Sequence, residues 1–407
     1  MAVIEKSPRP AVRFLVAIAL VAGCTLAQQV LLTRLLSAAI FYHFSFLAVS
    51  LALLGSGAGA ILVYVRPRWF APAQADRVMA QWTAAFAVLT ILCPVLMVRL
   101  NYTDVGVSAQ FAINLGVACL IASVPFFAAG VVLVMALNSY ADWVGLVYGA
   151  DLTGAGLGAF LIVPVLWLAP APVLMVALGT LAAIAAALFS PARSPERKAG
   201  IALIAATAGI TALAAVTSLV YLNPDGYLQI TKGARKVADV WTPITRVVAY
   251  MLPDPNAPAV PVFYDRGYAG AFRHRRGEPI PDWHTLKLGP QTIGYKLAPP
   301  GPVLVIGGGG GRDIFNALSS DRHRVDVIEI NAGIRRVVDR NLAAFTGAPY
   351  LLPGVHSVIG DGRSVLARRD KKYAVIHIGF TDTFSSNSAS AFALTESNLY
   401  TIQAIEE

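Results

Sequence analysis

The residues with chemistry to offer are concentrated in the last third of this 407-residue chain. Five consecutive glycines, Gly307 to Gly311, follow the apolar run Pro302-Val-Leu-Val-Ile306 and run into Arg312-Asp313. A turn without side chains lets a ligand approach the backbone and the N-terminus of the helix behind it. Glu329 stands at the end of a second strand, Arg324-Val-Asp-Val-Ile-Glu-Ile330, about twenty residues further on. A carboxylate there is placed to accept hydrogen bonds from two ribose hydroxyls. Asp361, in Gly360-Asp361-Gly362 just past a third run (His356 to Ile359), is placed to accept from an adenine amino group. A glycine run alone is weak, because five glycines also make a flexible linker. The three features together, each at the end of its own strand, point to a nucleoside site. Its candidate binding residues are Gly307, Gly308, Gly309, Gly311, Glu329, Asp361 and Gly362.

These residues need a frame. Arg312 to Leu318 and residues 332–345 read as helices, Tyr373-Ala-Val-Ile-His-Ile378 as a fourth strand, and 395–407 as the start of another helix. Strands alternating with helices predict an α/β doubly wound parallel sheet over residues 299–407. Ahead of it, the turn Asn223-Pro-Asp-Gly226 opens a small β-rich domain, 223–298, with strands at Ile244 to Leu252 and Val260 to Tyr264. The helix 395–407 leaves the sheet with four of its expected strands, so the chain reads as truncated at the C-terminus or completed by a partner or oligomer.

The first 222 residues are a different material. They carry 17 charged side chains, against 38 in the remaining 185 positions. With 56% hydrophobic and 14% charged residues overall, the chain is no ordinary water-soluble enzyme. Apolar stretches near 12–32, 44–65, 80–98, 111–137, 145–168, 171–190 and 201–221 are long enough to span a bilayer, about seven helices in all. Val21-Ala-Gly-Cys24 resembles a lipoprotein cleavage box, but the apolar run continues past it, so an uncleaved helix is expected. Lysines and arginines fall nine to two on one set of loops, which puts the N-terminus inside. Seven crossings would then leave the soluble half outside. An inward, cytoplasmic placement requires one run not to cross, and the closely spaced pair 145–168 and 171–190 is the expected place. Glycines at 55, 57, 59, 145, 149, 154 and 158 predict close helix packing. Asp151 is a carboxylate within a span, either functional or capping. The net charge of +9 is shared between the halves without an aromatic-laced basic patch, so no nucleic acid partner is expected. The three cysteines lie in apolar runs, and no metal site is expected.

At this point VLVIGGGGGRD, VDVIEIN, GDGRSVL and ALTESNLYT resemble the spermidine synthase family, in particular its membrane-fused bacterial branch. TRLLS (33–37), FYHFSFLAVSLALLGSGAG (41–59) and YGADLTGAGLGA (148–159) extend the likeness into the membrane half. The resemblance implies a methyltransferase-like Rossmann sheet in an inner (plasma) membrane protein. It implies decarboxylated S-adenosylmethionine as substrate, or S-adenosylmethionine itself, with the aminopropyl group passing to a small amine acceptor. The family's nucleotide turn usually reads GGGDGG, and its fourth strand ends in an aspartate that takes the amine proton; those positions are Gly310 and Gly379 here. Asp382 or Glu396 would then have to serve as the catalytic carboxylate, and aspartates restored at 310 and 379 are expected to raise aminopropyl transfer. The same pocket supports a methyltransferase, and the membrane half supports a transporter-like or nucleoside-sensing protein.

Overall fold

A computed structural model describes the chain apart from residues 1–8, 41, 72–73, 103–107, 192–193, 224–232, 266, 276, 281–289, 380–398, 400 and 407. Contacts divide it into two compact units, Met1–Gly226 and Tyr227–Glu407.

The first unit contains seven helices long and apolar enough to cross a membrane: α1 (Val12–Ala39), α2 (Leu47–Val65), α3 (Ala75–Met97), α4 (Ala109–Ser139), α5 (Val144–Val165), α6 (Ala171–Phe189) and α7 (Pro195–Val216). Their polar ends extend beyond the apolar runs where local chemistry allows. α7 begins six residues before its apolar stretch because Ser194 accepts from the Arg197 N–H at 3.1 Å and Pro195 suits the first turn. α1 continues through Cys24, which is buried with its Sγ 3.7 Å from the Leu178 carbonyl of α6.

Glycine sets the helix pairing. A β-carbon at Gly154 or Gly158 of α5 would overlap the Ala19 or Gly23 carbonyl of α1, whereas Gly145 and Gly149 face open space. Gly55 and Gly59 of α2 lie in the same way on Ser123 and Phe127 of α4. Four residues forward on α1 correspond to four forward on α5, so these helices run parallel. α6 runs against α1, since Phe14 meets Phe189 edge to face while Cys24 meets Leu178. α7 runs against α6, since Gly200 faces Ala187 while the Thr180 and Thr211 hydroxyls lie 3.3 Å apart. α7 is therefore parallel to α1. At 145–168 and 171–190, where one run was expected not to cross, the chain forms two separate helices, α5 and α6, of 22 and 19 residues.

The second unit opens with an antiparallel meander, β1 (Arg235–Trp241), β2 (Arg246–Met251), β3 (Ala259–Tyr264) and β4 (Gly267–Phe272), paired in that order. A parallel sheet follows, made of β5 (Val303–Ile306), β6 (Val325–Glu329), β7 (Val355–Ile359) and β8 (Val375–Ile378) in the order β7-β6-β5-β8. Every residue of β5 and β6 is buried, which explains the unbroken apolar run of β5, while β6 buries the carboxylates Asp326 and Glu329 among its apolar residues. Short helices accompany the sheet, among them α8 (Ile293–Leu297), α9 (Arg312–Ser319), α10 (Ala332–Arg336), α11 (Gly362–Leu366) and α12 (Ile402–Glu406). Both sheets share one core, with Val247, Val262 and Ala271 clustered beside Val305, Phe315 and Val327. α8 is fixed to it by Arg322, whose guanidinium donates to the Tyr295, Ala298 and Pro299 carbonyls at 2.7, 2.9 and 2.6 Å.

The continuous helix expected over 332–345 is broken. After α10 the chain makes a wider turn, and the Leu342 N–H donates to the Val337 carbonyl at 2.9 Å. That extra residue keeps both Val337 and Leu342 in the core, where a regular helix would rotate one outward.

Candidate functional site

The glycine turn joins β5 to α9. Gly307, Gly309 and Gly311 have φ of 81°, 47° and 93°, a left-handed region that other residues enter at a cost. Two side chains hold this shape. Glu329, at the end of β6, accepts from the Gly309 N–H at 2.9 Å through Oε2 and from the Asn331 N–H at 2.9 Å through Oε1. Tyr350 donates its hydroxyl to the Gly309 carbonyl at 2.8 Å, and its ring lies where a side chain on Gly308 would sit. Glu329 is only 4% exposed. Burial pushes its carboxyl above the usual range, against the bonds from Asn331, Gly309 and Tyr350 that favour the charged form. Sequence reasoning missed Tyr350, because no spacing rule links a tyrosine in a turn to a glycine 41 residues earlier.

Gly310 is packed against the meander. The Phe272 N–H reaches the Gly310 carbonyl at 3.4 Å, and a β-carbon at Gly310 would overlap the Gly270 carbonyl of β4. An aspartate there has no room without moving β4, which corrects the expectation that one could be restored at this position.

Asp361 caps α11, its Oδ1 accepting from the Ser364 N–H at 2.8 Å. That bond holds its carboxyl below the usual range. Gly362 is buried, and a β-carbon there would lie 2.7 Å from the Ile306 side chain. The strand order sets Asp361, Glu329, Gly307 and Gly379 in one row along the carboxyl edge of the sheet, one per strand, with neighbouring strands about 4.8 Å apart. Glu329 and Gly309 are in direct contact, while Asp361 stands at the far end of the row. Asp382 and Glu396 lie outside the described residues.

A third carboxylate takes part, one that sequence reasoning passed over. Asp313, in the first turn of α9, places Oδ2 only 2.7 Å from where a β-carbon of Gly379 would stand. An aspartate restored at 379 would set two carboxylates against each other. The other oxygen of Asp313 lies 3.4 Å from His377 Nε2 and accepts from the Asn316 amide at 3.1 Å. His377 is packed as well as paired: its ring stacks on Tyr295 of α8 with centroids 5.7 Å apart.

Among the described residues no group of three or more His, Cys, Asp or Glu side chains could hold a metal. Asp151 lies half-buried on α5, three residues before Gly154, with no partner among the described residues. A cavity of about 780 Å³ opens between α3, α6 and α7 beside the Arg77–Glu196 ion pair and is remote from the glycine turn in sequence.

Comparison with known proteins gives a limited match. No protein-family model matches the chain. It is similar to a polyamine aminopropyltransferase of Korarchaeum cryptofilum (strain OPF8), 27% identical over 88 residues. The matched stretch is 22% of this chain and spans 27% of that relative's length. The likeness supports a spermidine-synthase-like relation, carried on a chain whose first unit has the helices of a membrane protein.

Proposed function

We propose that the chain is a membrane-bound, spermidine-synthase-like transferase. In this reading residues 299–407 form a methyltransferase-like Rossmann domain that binds decarboxylated S-adenosylmethionine or S-adenosylmethionine along the carboxyl edge of the parallel sheet, and residues 223–298 form the β-rich domain beside it. The observation that carries it is the Glu329 carboxylate bonded to Gly309 at the point where β5 and β6 end. Oε1 of Glu329 accepts the Asn331 N–H and Oε2 the Gly309 N–H, with the Tyr350 hydroxyl 3.4 Å from Oε2, and in this reading the ribose hydroxyls donate to the same carboxylate. Asp361, two strands away from β5, serves the adenine amino group. The sulfonium arm then reaches the gap between Gly307 and Gly379, where a small amine acceptor enters.

Thermal unfolding of the detergent-solubilised chain tests the reading. Methylthioadenosine or decarboxylated S-adenosylmethionine at about a hundredfold over Kd should raise the midpoint of the second unit by about 5–10 °C. No shift with any adenosyl nucleoside overturns it. Methyl transfer is a second reading, favoured by the glycines at 310 and 379, which leave both family carboxylate positions empty. A larger shift with intact than with decarboxylated S-adenosylmethionine selects it.

A further inference from the structure

The geometry points to Asp313 as the carboxylate that receives the acceptor's ammonium group, transposed from the end of the fourth strand to the first turn of α9. This rests on the nucleoside-binding reading above for its place in a reaction, though not for the binding itself.

Gly379 and Asp313 form a matched pair. The missing side chain at 379 leaves a space at the end of β8, and Asp313 Oδ2 fills it, with the Gly307 carbonyl 3.0 Å from the same point. Asp313 Oδ1 is occupied by His377 and Asn316, whereas Oδ2 has no partner among the described residues. The side chain is 13% exposed, so an unpaired oxygen there is largely withdrawn from water and favours a cation. Two neighbours on the same wall are also unsatisfied. The hydroxyl of Tyr295, a residue 3% exposed that stacks on His377, has no hydrogen-bond partner, and neither has Asn316 Oδ1. Carboxylate, carbonyl and amide oxygens with a phenol suit a group carrying three N–H donors, which is a primary ammonium. No lysine or arginine among the described residues pairs with Asp313 and fills that role from within.

Isothermal titration of the solubilised full chain with putrescine, with and without saturating methylthioadenosine, tests this. Asp313→Asn should weaken putrescine by about tenfold or more and leave methylthioadenosine within about threefold. The double variant Asp313→Asn with Gly379→Asp moves the carboxylate to the strand and should recover most of the putrescine affinity. Methylthioadenosine binding reports that each variant is folded. Unchanged putrescine affinity in Asp313→Asn overturns the inference, as does a nucleoside-binding chain that takes up no putrescine. Asp313-dependent putrescine binding without nucleoside binding instead overturns the preceding reading and leaves this one standing. A chain that binds neither overturns both.

Discussion

Glu329 shapes the glycine turn whether or not a ligand is present. Its removal should therefore cost stability as well as binding. Glu329→Ala leaves the Gly309 and Asn331 N–H groups without acceptors in a buried place, at about 1–3 kcal/mol each. We expect the second unit to lose about 2–4 kcal/mol in denaturant titration and methylthioadenosine affinity to fall at least about tenfold. Glu329→Gln should fail almost as badly, because its amide NH₂ must face one of the two N–H donors. A Gln variant that keeps both stability and affinity would show that the carboxylate is dispensable. The sequence made this residue legible because a strand end and a glycine turn are set by local order. Tyr350 and Asp313 were not legible in the same way. Each acts across a contact that exists only once strands β8-β5-β6-β7 are side by side, and Asp313 becomes noticeable only when Gly379 is seen to leave it space.

At the scale of elements, the same glycine spacing has opposite meanings at neighbouring positions. Gly154 touches the backbone of α1, while Gly149, one turn and a half earlier, touches nothing. Gly149→Ala should be neutral or stabilise the first unit by up to about 1 kcal/mol through helix propensity. Gly154→Ala should push α1 and α5 apart and lower the unfolding midpoint in detergent. Equal behaviour of the two variants would contradict the α1–α5 packing. The sequence predicted close packing but could not say which glycines make it, since that depends on which face of α5 meets α1. The parallel sheet offers a pH test. Asp326, in β6, accepts from Lys371 at 2.7 Å, Tyr373 at 2.7 Å and Arg369 at 3.2 Å, tying the segment before β8 to the sheet. Burial pushes its carboxyl up, but these partners outweigh burial and hold it below the usual range. A lowered folded value means stability that is present above the unfolded carboxylate value, about 3.9, and lost as pH falls through the folded one. Asp326→Asn should cost about 2–3 kcal/mol near neutrality, less than a wholly buried pair because Lys371 is half-exposed. The gap between variant and unaltered chain should close below about pH 4. A gap that stays constant with pH would mean the ion pairs contribute nothing.

At the scale of the whole molecule, the direction of the helices bears on which side of a membrane the chain leaves the first unit. α1 and α7 run parallel, so the chain leaves α7 on the face opposite to the one where α1 begins. Arg77 at the start of α3 pairs with Glu196 at the start of α7 at 3.2 Å, which sets these two odd-numbered starts at one level. Counted along the sequence, the segments before α1, between α2 and α3 and between α6 and α7 hold nine of the eleven lysines and arginines of the first 222 residues, and segments so enriched stay in the cytoplasm. The inward placement of the soluble half expected from the cytoplasmic origin of the nucleoside needs a run that fails to cross. The two helices where that was expected are both long enough to span. Helix direction rests on several independent contacts, whereas the inward placement rests on a proposed ligand, so the former decides the prediction. A phosphatase that matures only outside the cytoplasm should be active when fused at Glu407, and a fluorescent reporter that matures only in the cytoplasm should stay dark there. The same pair fused in the loop between α2 and α3 should give the reverse. Fluorescence at Glu407 would mean that one of the seven helices lies outside the bilayer, and repeating the fusions after each helix in turn would identify it.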